Sequence, residues 1–112
     1  MISKRIAPSY KWRETCSGWT LLDSPNLHVI QESMPSGTHE LRHVHDHVQQ
    51  LYFVLEGEAT IEIDKRIEII RSGEAISITP RAIHRMMNQG KGALEFLVIS
   101  STAPRADRRD LE

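Results

Sequence analysis

Gly37-Thr38-His39-Glu40-Leu41-Arg42-His43-Val44-His45, running on through Gln50 to Gly57, is the stretch that decides how this chain reads. His43 and His45 are two residues apart, so on a β-strand both imidazoles leave the same face. A second block runs from Gly73 through Pro80 and His84 to Asn88. Gln50 and His84 can complete the cluster from other strands. Three imidazoles and one amide oxygen around an open position suit a divalent metal with room for a small molecule beside it.

Strand parity constrains that cluster. His45 and Gln50 are five apart, so both point inward only if the chain bulges or turns between them. Asp46-His47-Val48-Gln49 is polar enough to supply the break. Beyond it, Gln50, Tyr52 and Val54 share one face, and Leu51, Phe53 and Leu55 share the other. Around the third histidine, His84, Met86 and Asn88 share a parity, which makes Met86 a cavity-wall residue. Arg81 and Arg85 flank His84 and are candidates to pair with a carboxylate substrate. His47 reads as a rim residue, and His28 and His39 read as surface residues. Gly37 and Gly57 suit turns that need positive φ.

The rest of the chain has almost no helical periodicity. Short β-rich runs appear at 27–32, 51–55, 59–63, 67–70, 75–79, 83–87 and 94–100, punctuated by glycines and by Asp64-Lys65 and Asn88-Gln89. Such spacing predicts an all-β sandwich or barrel. The 112 residues make one small domain, with 14 basic and 15 acidic residues giving a net charge of −1. That balance gives no general drive toward nucleic acid or anionic membranes. No apolar run approaches the ~18 residues that span a bilayer, and no apolar leader opens the sequence. The single Cys16 cannot form an internal disulfide and reads as a small buried apolar residue. A cytoplasmic protein is expected.

The two blocks resemble the defining signatures of the cupin family. The first signature is a glycine, five residues, His-x-His, a short gap, a Glu, six residues and a glycine. Gly37, His43, His45, Gln50 and Gly57 fall at those places, with Gln50 where Glu is usual. Gly73, His84 and Asn88 match the second signature, with Arg81 in the usual glycine place. The resemblance implies a double-stranded β-helix, the jelly-roll barrel of that family, over residues 25–103. Residues 1–24 are then an N-terminal segment packing on the barrel or a partner, and 104–112 a charged C-terminal tail. It also implies a metal (Zn, Ni, Mn or Fe) on His43, His45, Gln50 and His84.

The neutral Gln50 leaves a divalent ion its full charge, which favours anionic ligands and polarises oxygen substituents. Known three-His, one-Gln members of similar size act on unsaturated uronates. The resemblance therefore implies a metal-dependent isomerase or lyase acting on an oxygenated, acidic small molecule, with Tyr52, His47 and Glu95 as candidates to move a proton. Alternatives are an iron- or nickel-dependent dioxygenase and a non-catalytic binding or sensor module. A homodimer is expected, because Leu51, Phe53 and Leu55, Ile61 and Ile63, and Trp12 with Trp19 offer more apolar surface than one small core absorbs.

Overall fold

Alternation of buried and half-exposed side chains every second residue, the mark of strands that face a core on one side, governs the whole chain. The computed structural model describes residues 1–103 and 107–112. Among these residues there are eleven strands and no α-helix: β1 (Ser9–Trp12), β2 (Cys16–Asp23), β3 (Leu27–Met34), β4 (His43–His45), β5 (Gln50–Glu56), β6 (Glu58–Ile63), β7 (Arg66–Arg71), β8 (Ala75–Ile78), β9 (His84–Met87), β10 (Leu94–Ser101) and β11 (Arg108–Asp110). They form two sheets, ordered β1-β2-β3-β10-β5-β8 and β11-β4-β9-β6-β7. Every strand pairing is antiparallel. This is the expected all-β jelly roll, in which two sheets bury their inner faces against each other.

Turn chemistry fixes the register. Asp64 and Lys65 join β6 to β7 with both φ angles positive, at 46° and 74°, the conformation that matches the twist of a tight hairpin. Asp64 also ties the hairpin to the turn before β9, because its Oδ1 accepts the Ile83 N–H at 3.0 Å. Gly57, at φ 88°, separates β5 from β6, and a Cβ there would press on the Ala93 carbonyl. Only glycine fits that position.

The core lies between the sheets. Tyr52, Phe96, Met34, Ile61, Ile78, Met86 and Leu94 are fully buried, and the Tyr52 and Phe96 rings stack at 5.8 Å. Burying each such side chain contributes roughly 1.5–3 kcal/mol. Cys16 is buried among them. Ile61 and Ile63, expected to be surplus apolar surface, are instead 0% and 4% exposed. Both belong to the core cluster between the sheets, so their face is covered within the chain.

Both ends depart from their expected places. β1 and β2 are an integral hairpin of the six-stranded sheet rather than a segment laid upon it. At the other end, β11 pairs with β4, with Arg108 opposite His45 and Asp110 opposite His43. The 104–112 segment looked like a charged tail because β11 is a short edge strand made of charged residues. It is held by backbone pairing and by ion pairs, Arg109 to Asp46 at 2.9 Å and Arg42 to Glu112 at 3.6 Å. Residues 104–106 of that segment lie outside the described residues.

Candidate metal centre and its cavity

His43 on β4 and His84 on β9 are direct cross-strand partners, which brings the two signature blocks face to face. Their ring centroids are 4.2 Å apart, and those of His45 and His84 are 5.9 Å apart. One ligand nitrogen from each of His43, His45 and His84 can be chosen so that all three lie within 4.8 Å of one another, close enough to hold a metal ion. After His45 the chain bends at Asp46-His47, leaves the five-stranded sheet and enters the six-stranded one at Gln50. That change of sheet is the break the parity argument required. It sets Gln50 Oε1 3.2 Å from His84 Nε2. Ser100 Oγ accepts from the Gln50 amide nitrogen at 3.1 Å and so turns the amide oxygen toward the histidines. Arg81, in the left-handed region at φ 72°, donates its N–H to the His45 carbonyl at 2.6 Å. The turn before His84 is thereby pinned to the strand that carries His45.

Hydrogen bonds also set the tautomers. Nδ1 of His43 faces the Leu41 carbonyl at 2.8 Å, and Nδ1 of His84 faces the Ala82 carbonyl at 2.9 Å. A carbonyl only accepts, so Nδ1 carries the proton and Nε2 keeps its lone pair for the cluster. Burial, reinforced by neighbouring positive groups, pulls all three imidazoles down to about 4. They are therefore neutral donors at pH 7. His45 Nδ1 is buried without a hydrogen-bond partner, so the ring retains unspent donor capacity. Four neutral N and O donors, three of them fixed by second partners, fit a divalent ion.

The cluster opens into a cavity of about 440 Å³ whose lining includes Glu32, Glu40, Tyr52, Val98, Ser100 and Arg108. Glu40 is buried, and its Oε1 accepts the Met86 N–H at 2.9 Å and the Tyr52 hydroxyl at 3.4 Å. Burial pushes its carboxyl above the usual range, against those hydrogen bonds. Glu32 is pushed up to about 7, by burial and then by the charge of Glu40, while the Tyr10 hydroxyl bonded to it at 2.8 Å works in the opposite direction. Arg108 leans in from β11, its Nε held by Asp110 at 2.8 Å. Burial draws its guanidinium down, but Asp110 and Glu40 outweigh that and hold it above its ordinary value.

The residues singled out from the sequence divide sharply. Tyr52 lines the cavity, with its phenol held far above the usual range by burial and then by the Glu40 and Glu32 charges. Met86, read as a cavity-wall residue, is fully buried in the core and does not line the cavity. His47 stands at the rim with a side chain 76% exposed, 3.0 Å from Asp107. Asp107 Oδ2 also accepts the His47 and Val48 N–H groups at 2.9 Å each. Those bonds hold the Asp107 carboxyl down at about 2. Glu95 alternates with the core residues Leu94 and Phe96, so it faces outward and pairs with Lys4 at 2.6 Å. The same alternation turns Arg85 away from His84 and toward Glu62, at 3.7 Å. Arg81 is exposed at its turn. Neither arginine lines the cavity. His28, read as a surface residue, lies at its mouth.

Glu32, Glu40 and Arg108 escaped sequence reasoning. Glu32 did leave a signal, since it sits on β3 in step with the inward-facing Ile30 and Met34. A charge on an apolar parity invites that question. Glu40 lies outside any strand, and Arg108 lies in the segment that read as a tail.

A family model described as Cupin domain matches residues 29–100. An uncharacterized protein of Methanocaldococcus jannaschii is 30% identical over 72 residues, which is 64% of this chain and 58% of that protein. This chain thus spans somewhat more than half the length of that relative. Among solved structures, the polyketide cyclase RemF from Streptomyces resistomycificus superposes with a TM-score of 0.85 at 19% identity, over 100% of this chain and 84% of that one. A predicted oxalate decarboxylase from Thermotoga maritima superposes with a TM-score of 0.84 at 17% identity, over 92% and 99%. At such identities the structural likeness speaks for the fold alone.

Proposed function

Because this chain belongs to the cupin family, we propose that it is a metal-dependent isomerase or lyase acting on an oxygenated, acidic small molecule of the sugar-acid kind. The observation that carries this reading is a neutral ligand set in the same cavity as an arginine. Its four candidate ligands, His43, His45, Gln50 and His84, are all neutral, while Arg108 lines the same space. A divalent ion held there would keep its full charge and supply Lewis-acid stabilisation of a carbonyl or enol oxygen. Arg108 offers the planar guanidinium that matches a carboxylate. Glu40 and Tyr52, hydrogen-bonded to each other on the same cavity, are the groups available to receive or return a proton. The site therefore suits proton movement next to an oxygen, on a substrate that arrives with negative charge.

The test is metal analysis of the purified protein, followed by an aerobic and anaerobic screen against sugar acids, diketones and phenolic acids. Turnover of a sugar acid without oxygen supports the reading. Turnover that requires oxygen would assign the chain to the dioxygenases instead.

The assembly we propose is a homodimer formed through the outer face of the six-stranded sheet. Ile99 lies in register with Val29 and Leu51, and Leu97 with Phe53. All five side chains are only half-buried. A contiguous apolar sheet face of this kind is what a second subunit covers.

A further inference from the structure

The barrel holds a second compartment beside the first. It has a volume of about 420 Å³ and is lined by Tyr10, Trp12 and Arg13 of the N-terminal hairpin and by Leu41. It shares Ile30, Glu32, Glu40 and Arg108 with the histidine cavity. These four residues therefore border both spaces, and two of them are buried carboxylates.

The hairpin is shaped to complete this compartment. Tyr10 is the cross-strand partner of Gly18, and any side chain at Gly18 would overlap the Tyr10 ring. The missing Cβ lets the ring lie flat across β2 and carry its hydroxyl to Glu32, 2.8 Å away. Trp12 is oriented by its indole N–H, which donates to the Ser17 carbonyl at 3.1 Å. Tyr10 and Trp12 thus share one lining with the carboxylates Glu32 and Glu40 and the cations Arg13 and Arg108. Aromatic faces accept the C–H surface of a polyol or sugar ring, carboxylates accept its hydroxyls, and buried acceptors reject a ligand that lacks them.

We propose that this second compartment takes the hydroxyl-rich, non-reacting end of the ligand, with Glu32 accepting hydrogen bonds from its hydroxyls and Trp12 walling its apolar face. The inference rests on the reading of the histidine cavity given above, because it assumes that the acidic end sits beside Arg108. It assigns the selection of substrate length to the N-terminal hairpin.

Linkage gives the proposal a signature that a merely structural role would not produce. The groups facing Glu32 are Tyr10 from β1, Glu40 from the segment before β4, Tyr52 from β5 and Arg108 from β11. Gly18 on β2 and Phe96 on β10 stand beside it without charge. With its carboxyl at about 7, Glu32 is partly protonated in neutral solution. Hydroxyl donors favour the ionised form, so binding a polyol should expel up to about half a proton.

The experiment compares two probes on metal-loaded full-length protein by calorimetry in buffers of different ionisation enthalpy: glycolate, a short hydroxy acid, and gluconate, a long one. Gluconate should bind about tenfold more tightly than glycolate and release protons at pH 7. Trp12→Ala should remove most of that advantage and leave glycolate affinity unchanged, and Glu32→Gln should abolish the proton release. Tyr10→Phe, which keeps the ring in place, should alter the proton release while the protein stays folded. Equal affinity for the two probes in the wild type, or equal losses for both in Trp12→Ala, would overturn the subsite while leaving the histidine cavity as read. If neither acid bound the metal-loaded protein, the proposed function itself would fall, and the subsite with it.

Discussion

Gln50 Oε1 stands 3.2 Å from His84 Nε2, and with His84 Nδ1 spent on the Ala82 carbonyl both atoms present lone pairs to each other. Two acceptors at that distance repel unless a cation lies beside them. Metal binding should therefore stabilise the fold, by about 2.7 kcal/mol at a free-ion concentration 100 times Kd.

The first expected outcome is about one divalent ion per chain, lost when His45 and His84 are both replaced by alanine. Elemental analysis alongside thermal melts measures both effects, with circular dichroism confirming that the variant folds. Full occupancy in the double variant would place the ion elsewhere.

Charge gives the second. Gln50→Glu adds a carboxylate donor, so the metal should be retained more tightly against a chelator. The same charge lowers the net positive charge beside the ligand, so glycolate should bind more weakly. Tighter glycolate binding in the variant would defeat the electrostatic account.

How far these features were legible follows from where each residue sits. The pairing of His43 with His84 could be anticipated because both motifs fix their ligands by two-residue parity on strands. The inward turn at Gln50 followed from the same parity, since an odd separation demands a break. Arg85 and Glu95 were attractive by chemistry, yet the same alternation faces them outward, opposite Met86 and Phe96. Parity applied to every candidate would have removed both. Glu40 and Arg108 could not be found that way. One precedes a strand and the other belongs to an edge strand, where charged side chains hide the period. Likewise the β1–β2 hairpin carries Tyr10 to Glu32 through the shape of Gly18, a tertiary contact with no sequence period.

Opposing titrations yield the third prediction. The imidazoles of His43, His45 and His84 fall to about 4 on folding, so the unfolded chain binds more protons between pH 6.5 and 4, and metal-free protein loses stability as pH falls through that window. Glu32 is raised to about 7. The folded state then binds more protons between pH 7 and 4.5, so this group adds stability as pH falls. In Glu32→Gln the compensation is gone. Metal-free variant should be more stable than wild type at pH 8, by about 1–3 kcal/mol, and should lose stability more steeply toward pH 4.5. Urea unfolding at pH 8 and pH 5 measures the difference. A variant weaker than wild type at pH 8 would contradict the sign.

Arg108 supplies the fourth. It lines the cavity, whereas Arg85 faces Glu62 and Arg81 sits exposed at its turn. Arg108→Ala should weaken glycolate binding by about 10-fold or more, as expected for a lost hydrogen bond between charged groups. Arg85→Ala should leave that affinity within about twofold, because its nearest charge lies on the outer face. Calorimetry on the metal-loaded variants separates them, and equal losses in both would place the anchor elsewhere.

The fifth concerns assembly. The core absorbs Ile61 and Ile63, so these do not call for a partner. The interface proposed above is the outer face of the six-stranded sheet, where Val29, Ile99 and Leu51 lie in one row and Leu97 beside Phe53 in the next. Leu55, 39% exposed, continues the β5 side of that face toward its edge. Water against such a surface costs roughly 25 cal/mol for each square ångström of apolar area left uncovered. A second copy laid face to face would remove that cost with a two-fold interface. Light scattering at micromolar concentration should return twice the mass of one chain. Phe53→Glu places a charge in the middle of the face, and should give a monomer that still binds metal, since Phe53 points away from the cavity. A wild-type monomer, or a Phe53→Glu dimer, would direct the search for the interface to another surface.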